Sequence, residues 1–92
     1  VDANKWQAMG ETHEVLDVDP LKAFDGFGWI ATPVDGHHYA SIEAALFETA
    51  VPHVIVANTI KGKGVSFMEN HLLYHYKHVT EEDYQKALKE LV

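Results

Sequence analysis

The chain has 92 residues, 47% of them hydrophobic, with seven Lys and Arg against fourteen Asp and Glu. A formal charge of -7 repels polyanions and argues against nucleic acid as a partner, and the lack of cysteine removes disulfides, thiolate nucleophiles and Cys-based zinc or iron-sulfur sites. Apolar runs such as Val54 to Ala57 are far too short for a bilayer and no signal-peptide pattern opens the chain, so no membrane partner and a cytoplasmic location are expected.

Val1-Asp2 reads as the end of a strand running into a polar loop, Ala3 to Glu14. Asp19-Pro20-Leu21 starts a helix: Asp19 can cap free backbone N–H groups, and Pro20 stands at the first helical position, where its missing N–H costs nothing. Leu21, Phe24 and Phe27 share one face, and Gly26 and Gly28 end the helix. Trp29 to Val34 follow as a strand. Asp35-Gly36 is a turn, after which Ser41 caps a second helix with Ile42, Ala45, Leu46 and Thr49 on one stripe.

Residues 53 to 60 are rich in β-branched types without strict alternation, as in a strand covered on both faces. His53 is expected at its start with the imidazole satisfied locally. Lys61 to Val79 is a long connection, and the last helix is capped by Thr80, with Asp83 completing a capping box. Its apolar face is Tyr84, Ala87, Leu88 and Leu91, and Glu81-Glu82-Asp83 complements the helix dipole. The alternation predicts an α/β fold, a parallel sheet with flanking helices. Such sheets bind ligands at the carboxyl ends of their strands, where Asn4, the Asp35 to His38 turn and Lys61-Gly62-Lys63-Gly64 should converge.

Lys61 to Gly64 suits either a phosphate-contacting loop or a solvated turn, and it lacks the spacing of a Walker A loop. His71 and His75 have the i, i+4 spacing of a two-His helical metal site without a third ligand in sight. The alternative use of an imidazole there is contact with a ligand. His37-His38 reads as a polar turn, and Leu72, Leu73, Tyr74 and Tyr76 as packing around a ligand mouth or an interface between subunits.

The string Val1-Asp2-Ala3-Asn4-Lys5-Trp6-Gln7, with Gly10 after it, resembles the end of the thiamine-diphosphate motif of transketolase N-terminal subunits. Further matches follow in order: Leu16 to Leu21, Phe27-Gly28-Trp29, Val34 to His37, Thr59 to Asn70 and His75. The resemblance implies that residues 1–92 form the C-terminal portion of a thiamine-diphosphate-binding transketolase N-terminal domain, of the diphosphate-binding type. It implies thiamine diphosphate and Mg2+ (or Ca2+) as cofactors, with Asn4 giving its side-chain oxygen and Trp6 its main-chain carbonyl to the metal. Ile60 would pack near the thiamine, Lys61 would lie near the diphosphate, and His75 would face diphosphate and substrate as a catalytic group. The family's Gly-Asp-Gly triplet is absent from these 92 residues.

The implied activity is transfer of a two-carbon glycolaldehyde unit from a ketose to an aldose. A pyrimidine-binding transketolase subunit or domain would supply the activating glutamate, in a dimer or heterotetramer acting on sugar substrates. Relatives continue His-Gly-Lys-Ala-Pro where this chain has His75-Tyr76-Lys77-His78-Val79, a departure at the substrate end. The alternatives are a thiamine-diphosphate synthase-like enzyme, a transketolase-like enzyme acting on an unphosphorylated or nucleotide-linked sugar, and a non-catalytic interaction module that retains the fold.

Overall fold

A computed structural model of the chain describes residues 1–47 and 52–92. Its centre is a parallel three-stranded sheet in the order β1-β5-β4, with β1 at Asp2–Ala3, β4 at Ile30–Asp35 and β5 at His53–Asn58. β4 runs in register with β5 from Ile30 opposite His53 to Asp35 opposite Asn58. On the other side Asp2 pairs with Ala57 and Ala3 with Asn58. In β5, Val54 and Val56 are buried and His53, Ile55 and Ala57 half-buried, as a central strand covered on both faces requires. His53 opens the strand, and its Nε2 lies 2.9 Å from Thr32 Oγ1 on β4.

Helix α2, Pro20–Gly26, begins as its sequence predicts: the Asp19 carboxylate accepts from Leu21 N and Lys22 N. Its end is also as predicted, since the helix stops at Gly26 and Gly28 takes φ +78°, turning the chain so that Trp29 N donates to Phe24 O. Trp29 then packs its ring 5.4 Å from that of Phe24 and stays outside the strand, which starts at Ile30. Helix α3, Tyr39–Leu46, starts three residues earlier than a Ser41 cap would allow. Asp35 accounts for this, since its carboxylate accepts from His37 N and its carbonyl from His38 N, leaving His38 at the N-cap. Ser41 lies inside the helix with its Oγ 2.7 Å from His38 Nδ1. Thr49 of the predicted stripe lies outside the described residues.

The segment expected to be a plain loop after β1 contains a hairpin, β2 (Trp6–Gln7) against β3 (Gly10–Glu11), and a single helical turn α1 at Thr12–Val15. Two-residue strands are too short to leave a periodic pattern, which is why the sequence hides them. The connection after β5 is also ordered. Tight turns from Lys61 to Asn70 close with Asn70 N donating to Lys61 O at 2.9 Å, and a 3-10 turn spans Leu72–His75.

Helix α4, Glu81–Leu91, has both halves of the predicted capping box, Asp83 N to Thr80 Oγ1 and Thr80 N to Asp83 Oδ2. Only Ala87 of its apolar face is half-buried, while Tyr84, Leu88 and Leu91 are exposed. Polar contacts do much of the tethering: Ser66 donates to the Glu90 carboxylate through both its backbone N and its hydroxyl, and Lys77 pairs with Asp83 at 3.1 Å. The backbone and then the hydroxyl of Ser66 hold the Glu90 carboxyl below its ordinary value of 4.5. The Lys77 ammonium, followed by Thr80, holds Asp83 below 3.8.

A lowered folded-state pKa stabilises above the ordinary value and ceases to do so as pH falls through the shifted one. The α4 tether is therefore expected to be constant at neutral pH and to loosen below about pH 4. Hydrogen exchange of the α4 amides across an acid series measures this. Glu90→Gln should shift the onset, and an unchanged profile in that variant would show that the tether does not depend on the carboxylate.

The described residues form a slab with principal extents of 47 × 31 × 15 Å. The radius of gyration is 15.8 Å, against about 12 Å for a compact globule of this length. Apolar burial is correspondingly thin among the described residues, confined to Val34, Ala45, Val54, Val56 and Val65, while Phe27, Tyr39 and Phe47 are more than three-quarters exposed. No helix among the described residues is long and apolar enough to cross a membrane.

Candidate functional site

All three parallel strands stop on one level, since Ala3 and Asp35 both face Asn58 across the ladder. The residues that follow them therefore emerge together at the carboxyl edge of the sheet, as the chain order predicts. A cleft of about 280 Å³ opens there, lined by Asn4, Lys5 and Trp6 after β1, by Thr59 and Ile60 after β5, and by Glu11 and Asn70. Three of the five residues singled out in the sequence, Asn4, Trp6 and Ile60, thus share one cavity.

Asn4 is half-buried and bonded at both ends of its amide. Its Oδ1 accepts from Trp6 N at 2.8 Å, and its Nδ2 donates to Asp2 Oδ2 at 3.0 Å. The side chain reaches two residues onward because Lys5 between them adopts φ +69°, a left-handed conformation uncommon for a non-glycine residue. The Trp6 indole then crosses to the loop after β5, its Nε1 donating to Asn70 Oδ1 at 3.3 Å. Asn70 is itself left-handed at φ +53°, a role asparagine tolerates better than most residues.

The opposite wall is held by the β4 turn. Ile60 N donates to His37 Nε2 at 2.7 Å, so His37 serves as a brace between two strand ends where the sequence suggested only a polar turn. This bond also takes Thr59 and Ile60 off the ladder, ending β5 at Asn58 rather than residue 60. Gly36 N donates to Asn58 O at 2.9 Å. A Cβ on Gly36 would overlap Thr59 Cγ2 and lie 3.1 Å from both Ala57 Cβ and Asn58 O. Gly36→Ala is expected to cost about 1–3 kcal/mol through overpacking. It should also displace Thr59 and Ile60 from the cleft wall, and denaturant midpoints with a crystal structure of the variant would check both effects.

Lys61 and His75 stand apart from these residues. The Lys61 Nζ donates to Tyr74 O at 3.4 Å, and neither residue lines the cleft. His75 ends the 3-10 turn, which lies against β2, and its side chain is exposed. His71 precedes that turn and packs edge-on to Tyr74, so His71 and His75 do not share an α-helical face. Among the described residues no three His, Cys, Asp or Glu side chains gather to hold a metal.

The glycine loop is occupied with its own folding. Lys63 N donates to Ile60 O and Gly64 N to Glu69 Oε1, so these two N–H groups are not presented to a phosphate. The sequence alone does not single out Asp2, His37, Thr59 or Asn70 as individual site residues. Asp2 and Thr59 are adjacent only through the β1-β5 register, which no spacing reveals, whereas an asparagine closing a glycine-bearing loop was a usable signal for Asn70.

No protein-family model matches the chain. It is 39% identical over 95 aligned positions to one subunit of a 6-deoxy-6-sulfo-D-fructose transketolase from Clostridium sp. (strain MSTE9). It is 36% identical over 94 positions to one subunit of an apulose-4-phosphate transketolase from Actinobacillus succinogenes, and 30% identical over 96 to the corresponding chain from Phocaeicola vulgatus. These matches cover 98%, 98% and 99% of this chain, which spans about a third (34%) of the length of each relative. With an α/β parallel sheet and alignment over nearly its whole length, the chain is similar to one portion of transketolase subunits.

Proposed function

We propose that this chain forms part of the diphosphate- and metal-holding site of a transketolase-type transferase, one that moves a two-carbon glycolaldehyde unit from a ketose to an aldose. In this reading residues 1–92 correspond to the C-terminal portion of a thiamine-diphosphate-binding transketolase N-terminal domain. The observation that carries it is the convergence of Asn4, Trp6 and Ile60 on one cleft at the carboxyl ends of parallel strands.

The residues present fit such a group. Asn4 Oδ1 gives one lone pair to Trp6 N–H and retains a second for a cation. The same turn keeps the Trp6 main chain beside it, so an amide oxygen and a backbone carbonyl can approach one ion. Neutral hard oxygens of this kind suit Mg2+ or Ca2+. A carboxylate must complete the set, and the resemblance implies that it comes from a Gly-Asp-Gly triplet, which these residues lack.

When bound, thiamine diphosphate supplies the carbanion chemistry that breaks the ketose carbon–carbon bond. The chain's own groups hold and orient. Asn4 and Trp6 fix the metal end of the diphosphate, and Ile60 offers an apolar side chain in the cleft. Lys61 can exchange its long contact with Tyr74 O for a phosphate oxygen, a stronger charge-assisted partner. His75 hydrogen-bonds substrate or diphosphate oxygens. A pyrimidine-binding subunit or domain brings the activating glutamate, and the names of these relatives, each a subunit, support a multi-chain enzyme.

Calorimetry with Mg2+ and thiamine diphosphate on the complete assembly tests the proposal. Metal-dependent binding of the cofactor is the expected result. A folded assembly that takes up neither would leave a non-catalytic module as the better description.

A further inference from the structure

Asn4 can serve a cation only if its amide presents oxygen rather than nitrogen, and an amide side chain has two nearly isosteric orientations. Asp2 bears on that choice. One carboxylate oxygen, Oδ2, accepts from Asn4 Nδ2 at 3.0 Å, and the other, Oδ1, accepts from the Thr59 hydroxyl. Thr59 follows β5 and Asn4 follows β1, so a single carboxylate spans the two adjacent strand ends that wall the cleft.

A carboxylate is acceptor-only. Facing Asp2, Asn4 can place only its NH2 group there, which turns Oδ1 toward Trp6 N. If the amide were flipped, oxygen would meet carboxylate and NH2 would meet N–H, two repulsive contacts. Trp6 N–H supports the same orientation, yet it sits within the turn that Asn4 itself builds. Asp2 is the part of the arrangement anchored to a different strand.

We propose that Asp2 is a positioning residue of the metal site: it holds the Asn4 amide in its oxygen-presenting orientation, with Thr59 fixing the carboxylate in turn. The inference rests on the metal-ligand role proposed above for Asn4. Groups of this outer kind change metal affinity by about 10- to 100-fold when removed.

The complete assembly is titrated with Mg2+ in the presence of thiamine diphosphate, as wild type and as Asn4→Ala, Asp2→Ala and Asp2→Asn. Asp2→Ala is expected to lose about 10- to 100-fold in Mg2+ affinity. Asp2→Asn keeps one oxygen for Asn4 Nδ2 and can donate its NH2 to the Thr59 oxygen, so it should stay within a few-fold of wild type. In 15N-labelled protein without metal or cofactor, the Asn4 side-chain NH2 signals should move to positions typical of a free amide in Asp2→Ala and not in Asp2→Asn.

Wild-type affinity in a folded Asp2→Ala overturns the proposal while leaving the role of Asn4 intact, provided Asn4→Ala still loses binding. Equal losses in Asp2→Ala and Asp2→Asn overturn it in favour of a pure charge effect. Absence of binding by wild type overturns both the proposal and the reading beneath it. Should Asp2→Ala fail to fold, Thr59→Val decides: freeing the carboxylate should shift the Asn4 NH2 signals, and unmoved signals refute the orienting role.

Discussion

Alanine at Gly62 is expected to destabilise the protein by about 3 kcal/mol or more, combining a left-handed penalty with overpacking against backbone. Gly62 has φ +73°, and a Cβ there would lie 2.6 Å from Met68 O, 2.7 Å from Met68 C and 2.9 Å from Met68 Cβ. Two of those atoms are main chain within the turns that close Lys61 onto Asn70, so no rotamer change relieves them. Two other glycines separate the contributions. Gly28 has φ +78° with nothing within 4 Å of an added Cβ, so Gly28→Ala should lose only about 1–2 kcal/mol. Gly26 ends α2 without a positive φ and with open space around it, and Gly26→Ala should gain about 0.4–1 kcal/mol. Denaturant midpoints of the three variants in the complete protein should fall in that order. A Gly62→Ala variant no less stable than Gly28→Ala would show that the loop yields where its geometry says it cannot.

Removing the Asn4 side chain is the second large effect, and it falls on binding rather than on folding. Asn4→Ala loses the proposed metal oxygen outright, so the apparent Mg2+ affinity in the presence of thiamine diphosphate should drop on the order of 100-fold or more, beyond what an outer-sphere change produces. The folded state loses the bond to Trp6 N and the one to Asp2, both at a partly exposed site, at a cost of about 1–2 kcal/mol. Calorimetry for the affinity and thermal unfolding without cofactor for the stability separate the two effects. Unchanged metal affinity in a folded variant would remove Asn4 from the ligand set.

Features governed by one residue and its immediate neighbours were legible in the sequence. Asp19-Pro20 and the Thr80/Asp83 pair cap their helices as read, because capping is settled within four residues. The β-branched run of β5 identified a central parallel strand, and the order of elements brought Asn4 and Ile60 to one edge. Features decided by non-local contacts were not legible. The His37 bond to Ile60 N shortens β5 and turns a surface histidine into a brace. The Asp35 turn starts α3 at Tyr39 and so displaces Ser41 from its cap. The link from Asp2 to Thr59 exists only because β1 lies beside β5, although 57 residues separate them.

The common level at which β1, β5 and β4 end has a consequence for how members of such a family can diverge in length. Adding or deleting one residue within β4 or β5 would move Gly36-His37 or Thr59-Ile60 by one rung relative to Asn4 and exchange the faces of every residue beyond the change. The connections that leave and re-enter the sheet on the far side do not carry this constraint, since their length does not set where the carboxyl ends fall. Length variation among sequences that keep the cleft should accordingly gather in the stretches before β4 and before β5, with the strands themselves fixed in residue count.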